Sequence, residues 1–195
     1  MNNDAKSRTI RAVERASRII KKLENEGAMT LSEISNEVDI SKSTVHTYLY
    51  TLSQEGLITK HNDGYRLSLR YLSLSERVKN RISIYDFVKQ EVDELAEKTK
   101  ERTQFAMLED DSVIYIYRSK GENAIPTTLS IGQYVYPHSL ASGKAILAYL
   151  PDHRVDEIID KHGLPNQTET TITDHEEFKQ DLDTTRERGY AISDE

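Results

Sequence analysis

Apolar side chains recur with helical spacing at the start of the chain, through Ile10, Val13, Ala16, Ser17, Ile20 and Leu23, and the pattern stops at Gly27. A second short stripe, Leu31, Ile34 and Val38, follows the sequence TLSE at Thr30–Glu33, which reads as a capping box. Asp39-Ile40-Ser41 is long enough only for a tight turn, and Ser41 is placed to cap a third helix ending at Gly56. In that helix Val45, Leu49 and Leu52 share one face, while Lys42, Ser43, His46 and Thr47 crowd the other. Leu57–Lys60 and Tyr65–Ser68 then predict two strands reversed at His61–Gly64, where Asp63-Gly64 supplies the turn chemistry. Helix, helix, short turn, helix and hairpin is the order of a winged helix-turn-helix.

Beyond the hairpin, Leu69, Leu72, Leu74, Val78, Ile82 and Tyr85 form a loosely helical series with Arg70, Arg77, Lys79 and Arg81 between them. It reads either as a linker between domains or as a core helix of a second one. Phe87, Val88, Val92, Leu95 and Ala96 describe an amphipathic helix, after which the period becomes that of strands. TQFAML, SVIYIYRS and IPTTLSIG, separated by Asp110-Asp111 and Gly121-Glu122-Asn123, predict a meander. PHSLASGKAILAYLP reads as a turn into a helix capped near Ser139 and ended by Pro151. Two further helices are expected around Val155–His162 and Glu176–Arg188, the second opened by a capping box, TDHE, from Thr173. The fold class is α+β. Expected domains are 1–68 for the winged helix-turn-helix, 69–83 for a linker and dimerisation helix, and 84–195 for the second domain.

Composition sharpens this picture through the distribution of charge. The net charge of -7 hides an asymmetry: up to Ser83 there are 14 basic and 10 acidic side chains, and beyond it 12 and 23. A basic first part joined to an acidic body fits one part meeting phosphates and another meeting something else. Arg8, Arg11 and Arg15 on the first segment are candidate phosphate contacts. On the third helix Ser41, Lys42, Ser43, Thr44, His46 and Thr47 would face bases or phosphates, helped by the positive end of the helix dipole. Lys60, His61 and Arg66 on the wing would straddle an adjacent phosphate or the minor groove. With no Cys, disulfides and thiolate metal sites are excluded, and no apolar run approaches membrane-spanning length, so a cytoplasmic protein without membrane contact is expected.

The residues RAVERASRIIKKLENEGAMTLSEISNEVDISKSTVHTYLYTLSQEGLI, with SKSTVH opening the recognition helix and LSQEGLI leading into the wing, resemble the DNA-binding domain of IclR-type transcriptional regulators. SGKAILAYLP and the closing TRERGYAISDE resemble the GAF-like effector-binding domain of the same family. The resemblance implies a regulator that binds a double-stranded DNA operator as a homodimer or homotetramer. It also implies a small-molecule effector, a small organic acid or aromatic metabolite. Effector contacts would then fall at Met107, Leu129, His138, Ser139, Ala141, Ser142 and Gly143. Two departures from the family matter. Many members carry Arg after the His of the recognition helix where this chain has Thr47, which points to a different operator or less dependence on guanine. Relatives also continue past RGYA into strands that complete the sheet, so the expectation is DNA binding retained and effector response impaired.

Other chemistry is poorly supported. Gly143-Lys144 lacks the preceding Gly and following Ser or Thr of a phosphate-binding loop, since those positions hold His138 and Ala145. Asp152, His153, Asp156, Asp160 and His162 fit an exposed helix better than a metal site, and no nucleophile motif is present, so no enzyme, cofactor or metal is expected. The competing reading is a metabolite sensor acting through protein contacts, with the winged helix as an interaction module.

Overall fold

The structure, a computed structural model, describes residues 9–193. The chain divides into two compact units between Arg81 and Ile82. The first contains α1 (Arg11–Glu26), α2 (Leu31–Val38), α3 (Lys42–Gln54), β1 (Ile58–His61), β2 (Gly64–Leu67) and α4 (Arg70–Lys79). Ile19, Leu23, Ile34, Val38, Val45, Leu49, Leu52 and Ile58 form its core. On α1 Leu23 of the predicted stripe is buried and Ala16 and Ile20 pack against the core, but Ile19, which that stripe omits, is buried as well, while Ile10 and Val13 are exposed. The core-facing stripe therefore shares Ala16, Ile20 and Leu23 with the one read off the sequence and adds Ile19 at its centre.

Local chemistry explains how α3 is presented. Thr30 and Glu33 close the expected capping box on α2, with the backbone N–H of Thr30 donating to Glu33 Oε2 at 2.7 Å. Asp39 takes the left-handed conformation, and the buried Ser35 Oγ donates to Ile40 O at 2.6 Å, so the turn into α3 is held from both sides. Ser41 caps α3 as expected, accepting from the Thr44 N–H. At the other end Arg70 Nη1 donates to Glu55 O at 2.7 Å, satisfying a carbonyl the helix leaves open. The β1–β2 hairpin is seated by Met29, whose backbone exchanges both hydrogen bonds with Tyr65 at 2.9 and 2.7 Å. Gly64 (φ +132°) lies so close to that segment that a Cβ would stand 2.4 Å from Met29 O.

α4 belongs to the first unit and has no buried residue, with Leu72 65% and Val78 57% exposed, and Leu69 just before it 82% exposed. It is not a core helix of the second unit.

The second unit contains α5 (Tyr85–Thr99), β3 (Arg102–Glu109), β4 (Ser112–Lys120), β5 (Tyr134–Val135), a 3-10 turn (Pro137–Ser139), α6 (Ala141–Ala148), α7 (Asp152–His162) and α8 (His175–Arg188). The strands form an antiparallel sheet in the order β3-β4-β5. Asp110 and Asp111, both at positive φ, make the two-residue turn between β3 and β4. Register is Phe105 opposite Tyr117 but Ala106 opposite Tyr115, so Ile116 is an unpaired bulge residue. Leu147, Ala148, Val155, Ile158, Ile159, Phe178 and Leu182 form a core among α6, α7 and α8, with Leu108 packed on it.

Three expectations are corrected here. IPTTLSIG is not a strand: Leu129 N–H donates to Thr127 Oγ1, Ser130 N–H to Gln133 Oε1, and Leu129 O accepts from Arg118, so side chains satisfy this backbone instead of a ladder, and Pro126 offers no donor. Ser139 does not cap α6, because its hydroxyl donates back to Tyr136 O at 3.1 Å, and Pro151 is the N-cap residue of α7. The box read at Thr173 shifts by one residue: Asp174 caps α8, accepting from the Glu177 N–H at 2.9 Å.

Candidate nucleic-acid interface and effector face

Burial of Val45, Leu49 and Leu52 turns the opposite side of α3 to solvent, leaving Lys42, Ser43, His46 and Thr47 exposed. Among the described residues the Lys42 and His46 side chains have no hydrogen-bond or ionic partner, so both are free to meet a ligand. Ser41 Oγ lies 3.2 Å from Ser43 Oγ and 2.9 Å from Thr44 Oγ1, which ties these hydroxyls into the cap; Thr44 is half-buried. Thr47 Oγ1 donates to Ser43 O at 3.2 Å, and Thr51 Oγ1 to Thr47 O at 3.0 Å. Tyr50, 63% exposed, stands on the same side as Ser43, His46 and Thr47 and was missed by the sequence reading. An aromatic in a helical pattern reads as core by default; its i+3 and i+4 relation to Thr47 and His46 was the available signal.

The wing side chains are exposed but engaged. Lys60 Nζ sits 5.7 Å above the Tyr65 ring, His61 Nε2 lies 3.2 Å from Thr59 Oγ1, and Arg66 pairs with Asp63 at 2.9 Å. That arginine holds the Asp63 carboxyl below the usual carboxylate range. Arg11 is exposed and Arg15 half-buried on α1, while Arg8 lies outside the described residues.

In the second unit, alternation across the paired strands separates two sheet faces. Tyr117 OH donates to Asp93 of α5 at 3.0 Å, and its ring meets Tyr85 edge-on, so the face carrying Thr103, Phe105, Met107 and Tyr117 is turned to α5. Burial and the Asp93 carboxylate push the Tyr117 phenol up. Leu108, Tyr115 and Arg118 belong to the other face, where Tyr115 OH is 2.9 Å from Ser142 Oγ of α6. Met107 is thus separated from Ser142 by the sheet. His138 and Ser139 are buried; His138 Nε2 is 3.0 Å from Pro165 O, and its ring meets Phe178 edge-on. Gly143 is accounted for by packing, since a Cβ there would stand 2.1 Å from Pro137 O. Leu129 presents backbone groups to Thr127 and Arg118. Ala141 and Ser142, both half-buried, open α6, which has no side-chain cap.

Arg102 and Arg118 were not singled out from sequence. Arg118 Nε donates to Gln104 Oε1 at 2.8 Å, and burial together with the neighbouring Arg102 pulls its guanidinium pKa down. Neither arginine has a carboxylate partner among the described residues, and Arg102 Nε is buried without an acceptor. The alternation in SVIYIYRS was the signal that could have placed Arg118 on a sheet face.

Comparison with known proteins gives two family matches, to the IclR helix-turn-helix domain over residues 12–61 and to the bacterial transcriptional regulator IclR C-terminal domain over residues 77–195. The chain is 32% identical, over 99% of its length and 75% of the relative's, to a Halobacterium salinarum protein described as a probable HTH-type transcriptional regulator, ArcR. The crystal structure of an IclR transcriptional regulator from Alicyclobacillus acidocaldarius superposes with a TM-score of 0.74 at 28% identity, covering 95% of this chain and 76% of that one. An IclR homologue from Microbacterium hydrocarbonoxydans, solved with 4-hydroxybenzoate, superposes at 0.71 with 24% identity, covering 92% and 75%.

Proposed function

Because the chain belongs to the IclR family of DNA-binding transcriptional regulators, we propose that it reads an operator through the exposed front of α3 and that its second unit takes up a small organic acid. One observation carries the first part: Lys42, Ser43, His46 and Thr47 are exposed together at the N-terminal turns of a helix whose other side is locked into the core. That places the helix dipole, one free ammonium and short hydrogen-bonding side chains at a surface that fits a major groove. Lys42 serves phosphate, His46 and Thr47 serve base edges, and Lys60, His61 and Arg66 serve the flanking backbone. Arg11 and Arg15 extend the basic surface along α1. The exposed leucines of α4 fit a two-fold contact with a second copy, which would present two α3 helices about one DNA turn apart or a multiple of it.

The effector reading rests on the sheet face shared by Tyr115 and Arg118 with the N-terminus of α6. Arg102 and Arg118 bring positive charge there without a carboxylate to neutralise it, which favours an acid as ligand. The Microbacterium homologue holds an acid, 4-hydroxybenzoate.

A gel-shift titration across ionic strength tests the operator reading. Affinity should fall steeply with salt, and Lys42→Ala should weaken binding to all duplexes roughly equally and flatten the slope by about one. A salt-independent interaction would favour the protein-contact alternative. A thermal-shift panel of small organic acids tests the second unit: stabilisation of the wild type that is lost in Arg102→Met supports the acid reading against the impaired response expected from the sequence, and no stabilisation by any acid upholds that impaired response.

A further inference from the structure

On the exposed face of α3 the two threonine hydroxyls have spent their protons. Thr47 Oγ1 donates its only proton to Ser43 O at 3.2 Å, and Thr51 Oγ1 does the same to Thr47 O at 3.0 Å. A β-branched side chain whose hydroxyl is turned back to the i−4 carbonyl points its methyl group away from the helix wall. Both threonines are exposed, and four residues along a helix bring them about 6 Å apart on one line, close to two base-pair steps. Tyr50 flanks them with an exposed ring. Beside His46, α3 therefore presents two methyl groups and an aromatic ring on its exposed face. In a major groove the apolar counterpart is the thymine 5-methyl group.

We propose that Thr47 is a specificity-determining residue that reads thymine through its γ-methyl group and does not donate a hydrogen bond to a base. The inference rests on α3 entering the major groove. It deepens that reading by naming the base feature recognised at this position.

The test uses the full chain and duplexes selected by it from random-sequence DNA. Each thymine of the selected duplex is then replaced by uracil, which removes only the 5-methyl group. The wild type should lose about fourfold in affinity at one or two positions, the worth of one buried methyl group. Thr47→Val keeps the methyl and lacks the hydroxyl, and should retain this discrimination. Thr47→Ser keeps the back-bonded hydroxyl and lacks the methyl, and should bind the thymine and uracil duplexes equally at one of those positions. Uracil having no effect at any position, Thr47→Ser retaining the full discrimination, or Thr47→Val losing it, overturns the inference while leaving operator binding intact. Failure to select any duplex overturns the operator reading and this inference with it. Far-UV circular dichroism melts of both variants within about 1 °C of wild type establish that the helix is preserved.

Discussion

The ion pair between α6 and α8 gives the most demanding test of how the second unit is held together. Lys144, only 7% exposed, places Nζ 3.1 Å from Asp181 Oδ2, a contact made by charge without the geometry of a directed hydrogen bond. At an effective dielectric constant of about 20 the gross attraction at this separation is about 5 kcal/mol, and most of it is offset by desolvating the ammonium. The pair therefore adds little net stability, but removing one member is costly. Asp181→Asn leaves a buried, uncompensated ammonium and should cost about 3 kcal/mol. Lys144→Met leaves Asp181, whose side chain is 23% exposed, and should cost less, about 1–2 kcal/mol, because that carboxylate still reaches water. The double variant should be less destabilised than the sum of the two, with a coupling energy of about 1–3 kcal/mol.

Differential scanning calorimetry at neutral pH reads these effects, with about 10 °C or more expected for Asp181→Asn. A melt for Asp181→Asn within about 1 °C of wild type, or strictly additive single variants, would refute the argument that this contact compensates a buried charge.

Three further outcomes are expected. Gly143→Ala, whose Cβ would stand 2.1 Å from Pro137 O, should destabilise the second unit by at least about 2 kcal/mol in urea unfolding, because only backbone movement relieves the contact. Asp111, held below the usual carboxylate range chiefly by the Lys161 hydrogen bond and then by Arg154, contributes stability that is full above the ordinary aspartate value near 3.8 and is lost as pH falls through the lower folded value; Asp111→Asn should remove this part of the acid dependence in pH-jump melts. Ser41→Ala removes the cap of α3 and should cost about 1 kcal/mol by chemical denaturation, with a larger proportional loss in DNA affinity.

The first unit was largely legible because its determinants are local. Capping at Thr30 and Ser41, the short turn at Asp39, and the Val45–Leu49–Leu52 stripe all act within one or two helical turns, and each lies where the pattern places it. The failures there have a common source. On α1 the apolar residues spread around the helix, and only tertiary contact decides that Ile19 joins Ala16, Ile20 and Leu23 at the core while Val13 stays exposed. Tyr50 was not singled out, because burial of an aromatic is the usual outcome. Whether a hydroxyl is free or turned back onto its own helix, as at Thr47, is a rotamer choice that composition does not encode.

The second unit was less legible because its geometry depends on sheet register, and register is a property of two strands at once. The single extra residue Ile116 shifts the pairing so that Tyr115 and Tyr117, two apart in sequence and expected on one face, divide between Ser142 of α6 and Asp93 of α5. That division places Met107 with the α5 side and leaves Arg118 on the face that meets α6. The motif GKA lies on α6, and motif matching assigns importance to residues without separating packing from binding. Gly143 answers to Pro137 and Lys144 to Asp181, whereas the adjacent Ala141 and Ser142 are half-buried at a helix end without a side-chain cap, and Ser142 meets Tyr115. Substitutions that separate affinity from stability should therefore differ along this four-residue segment: Gly143 and Lys144 variants lose stability first, and Ser142 variants lose ligand response first.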